Sequence, residues 1–189
     1  MVERGIVYSL LNSLTHSLTH SFISRLSKHN NLLTTLGGTA DITLKSAHIP
    51  CILMKKVVTS TSKFYCIAVD NSDMSKQGLD ILLALVKPRD KLRVVHVFDT
   101  NILSDDNLNI LKEYYINELN NFGPTDAEVV VLTKLNDNEV MTDIICNWIE
   151  ENSPDYFAIT PKARDGNDLS SLTASIIARA PCNVILCKQ

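Results

Sequence analysis

Glycine, proline and aromatic residues are scarce in this chain: its 189 residues include six glycines and six prolines, and 6% are aromatic. A collagen-like chain is excluded on that ground, and the 45% hydrophobic content excludes a disordered one. No apolar run approaches the ~18 residues of a membrane span. The most apolar early stretch, 6–14, is interrupted by polar residues. Glu3 is acidic and precedes this stretch, in the region that is positively charged in a signal peptide. We therefore expect neither a membrane segment nor secretion.

The five cysteines form no CxxC pair and no Cys/His spacing of the kind that binds metal. Most of them lie inside apolar runs, which is typical of reduced, buried thiols in a cytoplasmic protein. The sequence also shows no nucleophile–base–acid set for hydrolysis. We expect no metal site and no enzymatic activity.

Charge is distributed unevenly along the chain. Residues 1–56 carry six basic and two acidic residues, a net +4, which leaves −7 for the remainder of a chain whose total is −3. A basic segment can bind nucleic acid, but these charges are scattered and almost no aromatic residues lie between them. The pattern favours an exposed polar surface, with no nucleic-acid partner.

The polar stretch 59–63 predicts a linker between a front segment, 1–58, and a regular domain, 64–189. In the domain, short apolar runs alternate with residues at helical spacing, which predicts five strands and four helices. The predicted strands are Phe64–Val69, Leu92–Phe98, Val129–Leu132, Tyr156–Ile159 and Val184–Cys187. Apolar residues at helical spacing mark the helices from Met74 to Leu85, Leu108 to Phe122, Val140 to Trp148 and Leu169 to Ile176.

This alternation predicts an α/β fold in which helices cover both faces of a parallel sheet. Right-handed crossovers make it a doubly wound, Rossmann-like sheet of five strands in the order 3-2-1-4-5, preceded by an extra helical or strand segment. Ligands of such folds bind at the carboxyl ends of the strands where the order reverses. In this sequence that position lies near Asp70 and Thr160.

The stretch FYCIAVDNSDMSKQGLDILLALVKPRDKLRVVHVFD, Phe64 to Asp99, resembles the opening of the universal stress protein (UspA-like) family, strand–Asp-x-Ser-x-x-Ser–helix–strand–His-Val-x-Asp. The residues on its marker positions are Asp70, Ser72, Ser75, His96, Val97 and Asp99. The ending ARAPCNVILC resembles the family's Arg-x-Ala-Pro-Cys-Pro-Val, with Asn183 in place of the second proline. By this resemblance residues 64–189 form one complete family domain.

The front segment resembles the ending of the same domain. In LGGTADITLKSAHIPCILMKK, residues 36–56, Gly37-Gly38 stands at the family's Gly-Ser and 47–50 at its Ala-Pro-Cys-Pro. Residues 1–58 are thus expected to be the carboxyl-terminal part of another repeat, in the tandem arrangement common in that family. This partial repeat is either a diverged fragment or the product of a truncated gene model.

Many members of the family bind ATP through Gly-x2-Gly-x9-Gly-Ser/Thr, where glycines let backbone N–H groups approach the phosphates. In the complete repeat Thr160 stands at the first glycine, and Ser170-Ser171 at the Gly-Ser. The loop between them is three residues too short, and Pro161 removes a backbone donor. The resemblance therefore implies that the phosphate-binding loop has been lost.

By the same resemblance the nucleoside contacts would be Asp70 and the backbone of Val97, while Lys162 and Arg164 could supply charge to the phosphates. Two hypotheses remain open. The first is a non-enzymatic stress-response module that acts through protein contacts or dimerisation, with no cofactor and with partners still to be identified. The alternative is a stress protein that binds ATP or AMP in a degenerate site.

Domains of the family pair through their final strands. Ile49–Met54 is the equivalent strand of the partial repeat, and an apolar last strand without a neighbour would be an exposed edge. We expect either that Ile49–Met54 covers this edge within the chain or that two chains pair there as a homodimer.

Overall fold

The computed structural model describes residues 49–100, 105–136, 138–161 and 169–188, which form six strands and four helices. The strands are β1 (Cys51–Leu53), β2 (Phe64–Val69), β3 (Lys91–Asp99), β4 (Asp126–Lys134), β5 (Tyr156–Ile159) and β6 (Asn183–Leu186). The helices are α1 (Asp73–Leu83), α2 (Asp105–Phe122), α3 (Met141–Asn152) and α4 (Ser171–Arg179).

All six strands belong to one sheet in the order β4-β3-β2-β5-β6-β1. The five strands of the domain are parallel to one another. Counted from β2, their order is 3-2-1-4-5, so the predicted doubly wound topology is confirmed. The sheet differs from the prediction by having a sixth strand.

The sixth strand, β1, pairs antiparallel with β6, with Cys51 opposite Leu186 and Leu53 opposite Val184. Its position beside the last strand is the one predicted for residues 49–54, within a single chain. The extra segment therefore contributes a strand, while residues 1–48 of the expected partial repeat, including Gly37-Gly38, lie outside the described residues. Pairing between two copies stays a prediction.

Helices on both faces of the sheet give two apolar cores. Alternate residues of β3 show the division, because Val95 and Val97 belong to one core and Leu92 and Val94 to the other. The first core packs residues of α3 and α4 against the sheet, and the second packs residues of α1 and α2. Both faces of β2, β3, β5 and β6 are thus largely buried, as their continuous apolar runs predicted, whereas β4 at the sheet edge is partly exposed.

The helical faces differ from the prediction at the helix ends. Met74, Phe122 and Val140 were expected on the apolar faces, yet they are 36%, 44% and 55% exposed. Each lies at or beside a helix terminus. The buried face of α1 is instead formed by Ser75, Gly78, Leu79, Leu82 and Leu83.

Candidate functional site at the carboxyl edge of the sheet

The reversal of strand order brings the ends of β2 and β5 together. Ala68 pairs with Ile159, so Asp70 and Thr160, which follow these two strands, leave the same edge side by side. This is the position where ligands of doubly wound folds bind. The sequence predicted this juxtaposition.

Asp70 organises the start of α1. Its Oδ1 accepts hydrogen bonds from the Ser72 backbone N–H (2.9 Å), from the Ser75 hydroxyl (2.7 Å) and from the Ser72 hydroxyl. Ser72 in turn caps the helix, since its hydroxyl oxygen accepts from the Ser75 N–H at 3.3 Å. The Asp-x-Ser-x-x-Ser spacing therefore stabilises the turn that begins α1 in this chain.

The backbone of Asp70 is held from the other side by α2. The Tyr115 hydroxyl donates to the Asp70 carbonyl oxygen at 2.9 Å, and Tyr115 itself is 1% exposed. Burial, with Tyr114 and Asp70 nearby, raises the pKa of Tyr115, so the hydroxyl keeps the proton that it donates. Asp70 is thus a fixed, half-buried residue rather than part of a loose loop.

His96 and Val97 lie at the same edge on β3. His96 is 4% exposed, and its Nδ1 lies 3.0 Å from the Val69 carbonyl oxygen. Because a carbonyl oxygen only accepts, Nδ1 donates to it, whereas the buried Nε2 has no hydrogen-bond partner among the described residues. His96 is the last β3 residue paired with β2, so Val97 is the first residue beyond β2 and its backbone lies next to Asp70.

Thr160 packs tightly against α1 at Gly78. A Cβ added to residue 78 would collide with Thr160 Oγ1 and would lie 3.4 Å from Cys187 Cβ. In the described part of the chain this buried Oγ1 has no hydrogen-bond partner. A side chain therefore fills the position where the family pattern has a glycine. Lys162 and Arg164, the expected phosphate contacts, lie outside the described residues.

Ser170 and Ser171 lie at the start of α4. Ser170 is the N-cap: its hydroxyl oxygen accepts from the Thr173 N–H at 3.2 Å and lies 2.9 Å from the Thr173 hydroxyl. Ser171 is the exposed first residue of the helix. The Ser170 side chain is thus used to begin the helix, as a capping serine commonly is.

An ion pair that the sequence analysis did not predict completes this edge. Lys134 Nζ, at the end of β4, lies 2.7 Å from Asp99 Oδ2, at the end of β3, and both side chains are largely buried. Asp99 stood on a family marker position, but its partner is 35 residues away, and no local pattern connects the two. Among the described residues, no group of three or more His, Cys, Asp or Glu side chains could hold a metal ion.

None of the helices in the described part of the chain combines the length and the apolar character needed to cross a membrane. All five cysteines are free thiols, and Cys66, Cys146, Cys182 and Cys187 are buried. Burial raises the pKa of Cys182 to about 11 and of Cys187 to about 12, which keeps both thiols neutral.

No protein-family model matches this sequence, and no curated protein sequence matches it. Solved structures do match. A universal stress protein from Archaeoglobus fulgidus DSM 4304 is 22% identical with a TM-score of 0.64, and the match covers 88% of this chain and 59% of that one. The chain thus spans 59% of the length of that protein.

Shorter structures match over 69% of this chain. A universal stress protein family member from Burkholderia pseudomallei has 14% identity and a TM-score of 0.51 over 69% of this chain and 99% of its own. The universal stress protein from Archaeoglobus fulgidus in complex with dAMP has 18% identity and a TM-score of 0.52 over 69% of this chain and 100% of its own. The described domain of this chain therefore has the fold of the universal stress proteins.

Proposed function

We propose that this chain is a universal stress protein-like module that acts through protein contacts rather than catalysis, and that its phosphate-binding loop has been lost. The observation that carries the proposal is the use of Asp70. Its Oδ1 accepts three hydrogen bonds from Ser72 and Ser75 and so begins α1. A carboxylate oxygen engaged in this way is a poor contact for a ligand hydroxyl.

The residues that replace the expected phosphate-binding glycines support the same conclusion. The buried Oγ1 of Thr160 packs against Gly78, and Pro161 has no N–H to donate. Ser170 uses its hydroxyl to cap α4. A phosphate-binding loop needs its backbone N–H groups to come close to the phosphates. The residues at both ends of this loop oppose that close approach.

A second candidate function is the binding of an adenosine nucleotide such as ATP or AMP. It is favoured by the adjacency of Asp70 and the Val97 backbone at the carboxyl edge, and by the likeness to a universal stress protein solved in complex with dAMP. Lys162 and Arg164 would then provide the charge that the missing glycines do not. Such a site would hold the nucleoside more firmly than the phosphates.

Equilibrium titration with a fluorescent ATP analogue, with and without magnesium, tests the proposal. We expect no saturable binding by the wild-type chain, and none by Asp70→Ala. Saturable binding that Asp70→Ala weakens would instead establish the second function. Asp73→Ala is the matched control, because Asp73 is an exposed acid in the same first turn of α1.

The compartment proposed for this module is the cytoplasm. Five free thiols, four of them buried, suit a reducing environment. The proposed partners of this module are other proteins, among them a second copy of this chain.

A further inference from the structure

β4 is the edge strand on the side of the sheet opposite to β1. In the described part of the chain it pairs only with β3, and that pairing continues through nine residues, from Asp126 to Lys134. Along its outer side, alternate backbone N–H and C=O groups therefore point away from the sheet, where none of the described strands pairs with them. An edge of this kind is ready to pair with another strand.

The centre of β4 lacks the features that usually protect an edge strand. Such strands are kept apart by a proline, a bulge, a lysine or a short length. The register of β4 with β3 has no bulge, and residues 129–133 are Val-Val-Val-Leu-Thr, all of them at least partly exposed. At the other edge of the sheet, β1 has only three residues. The long, apolar edge of β4 thus suits contact with another strand better than contact with water.

Exposed apolar side chains continue this edge beyond the strand itself. Leu135, which follows β4, is 68% exposed. On α2, Lys76 Nζ of α1 lies 5.3 Å from the centre of the Tyr114 ring, so Tyr114 faces α1. Ile116 is two residues later, about 200° around the helix, and is 45% exposed. Because α1 packs against β2 and β5 while α2 packs against β4, Ile116 faces the outer side of β4.

The sequence of β4 is complementary to itself in the antiparallel direction. If two β4 strands pair with Val131 opposite Val131, the apolar run 129–133 lies opposite the same run. The same register sets Glu128 of each strand opposite Lys134 of the other. The Glu128 side chain is 64% exposed, so it can reach a neighbouring strand. Apolar pairs and opposite charges across an antiparallel pair both stabilise it, which makes a second copy of β4 a well-matched neighbour.

We propose that the outer edge of β4 binds a second copy of this chain, by antiparallel pairing of the two β4 strands, so that two six-stranded sheets become one continuous sheet. The two-fold axis is perpendicular to the sheet, so α2 of both copies lies on the same face, with the Ile116 side chains towards each other. This inference rests on the proposed function, because it names the surface and the partner. The surface differs from the last strand, which β1 already covers, and from the carboxyl edge, where a nucleotide would bind.

Sedimentation equilibrium of the full chain over a range of concentrations tests the proposal. We expect the mass of the wild type to rise to twice that of the monomer. Val131→Lys sets two like charges opposite each other and should give a monomer at concentrations where the wild type is a dimer. Val131→Thr keeps a β-branched side chain and should remain a dimer. Val131 belongs to neither apolar core, so both variants should fold. Ile52→Lys, the same change on the exposed side chain of the other edge strand, is the matched control and should leave the mass doubled.

Mixing two charged variants tests the position of the two-fold axis. Val131→Lys and Val131→Glu should each be monomeric alone, whereas an equimolar mixture should form a dimer, because a lysine then lies opposite a glutamate. A wild type that is monomeric at every concentration would overturn the proposal. So would a mixture that does not associate, or a dimer that Ile52→Lys dissociates and Val131→Lys does not.

Amide hydrogen exchange distinguishes a second copy from a segment of the same chain. We expect the protection of residues 129–133 to increase with protein concentration in the wild type and to stay low in Val131→Lys. Equally strong protection in a monomer would assign the edge to a segment of the same chain and contradict the proposal. The nucleotide titration concerns the carboxyl edge, and its result does not depend on the mass of these variants. Failure of the proposed function is therefore distinguishable from failure of this inference.

Discussion

Gly78 of α1 and Thr160 at the end of β5 are complementary in shape: the helix lacks a side chain where the threonine hydroxyl is buried. A Cβ on residue 78 would collide with Thr160 Oγ1, yet it would lie 3.5 Å from Thr160 Cβ, an ordinary contact. The conflict is therefore with one atom. The same threonine stands at the position where the family pattern has its first phosphate-binding glycine. One residue therefore both packs against Gly78 and replaces that glycine.

The effect of Gly78→Ala should depend on residue 160. In the wild type the extra methyl group should lower the free energy of unfolding by about 1–3 kcal/mol, as overpacking does. In a Thr160→Ala background the same change should raise it by up to about 1 kcal/mol, because alanine favours a helix over glycine. A double-mutant cycle by urea denaturation measures this coupling, and additive effects would show that the two residues are not interlocked.

Asn183→Ala should loosen the segment that follows β1. The backbone N–H groups of Lys55 and Lys56 would lose their shared acceptor, and a partly buried donor without a partner costs about 1–3 kcal/mol. We expect a lower urea midpoint and faster amide hydrogen exchange at residues 51–56 than in the wild type. Asn147→Ala, on the exposed side of α3, is the control and should change neither quantity. Unchanged exchange at residues 51–56 would contradict the role given to Asn183.

Asp70→Ala should lower stability as well as test for a ligand. The three hydrogen bonds to Oδ1 predict a loss of about 1 kcal/mol, similar to the loss of a helix cap. Asp70→Asn keeps an oxygen at this position and should retain most of the stability. Thermal unfolding of both variants measures the difference, and equal losses would show that the oxygen is not what begins α1.

Local patterns predicted the domain fold well, but they predicted its strand ends less well. β4 was predicted as Val129–Leu132 because only these residues form an apolar run, yet it extends over Asp126–Lys134. Arg93 of β3 explains the extension, since its guanidinium lies 2.8 Å from Asp126 Oδ1 and 3.1 Å from Glu128 Oε2. Ion pairs across the strands continue the pairing where hydrophobicity stops.

The candidate site was predictable only where its contacts are local. Asp70 and Ser72 lie two residues apart, and their turn can be read from the sequence. Asn183 was visible only as a departure from a proline, because its partners Lys55 and Lys56 are more than a hundred residues away. Lys134 was missed for the same reason, since nothing near it in sequence indicates Asp99.

Buried thiols should make the protein sensitive to alkali, because burial raises the pKa of Cys66, Cys146, Cys182 and Cys187. Cys182 and Cys187 are 0% and 1% exposed, and their pKa values are raised to about 11 and about 12, mainly by burial. A group whose pKa is raised by folding stabilises the folded state fully below its unfolded pKa. That contribution is lost as the pH rises through the folded pKa.

Above about pH 9 the unfolded chain therefore releases the protons of Cys182 and Cys187 while the folded chain keeps them, and each of these thiols should remove about 1.4 kcal/mol of stability per pH unit until about pH 11. The raised pKa values of Cys66 and Cys146 act in the same direction. The lowered pKa of Lys55, caused by burial, acts in the opposite direction and offsets part of this loss. We expect urea midpoints to fall steeply between pH 9 and 11, and Cys187→Ala to make the fall shallower despite its lower stability at neutral pH. Cys51→Ala, which removes a half-buried thiol, should change the slope less. An identical slope in Cys187→Ala and the wild type would show that the buried thiols do not set the alkaline limit.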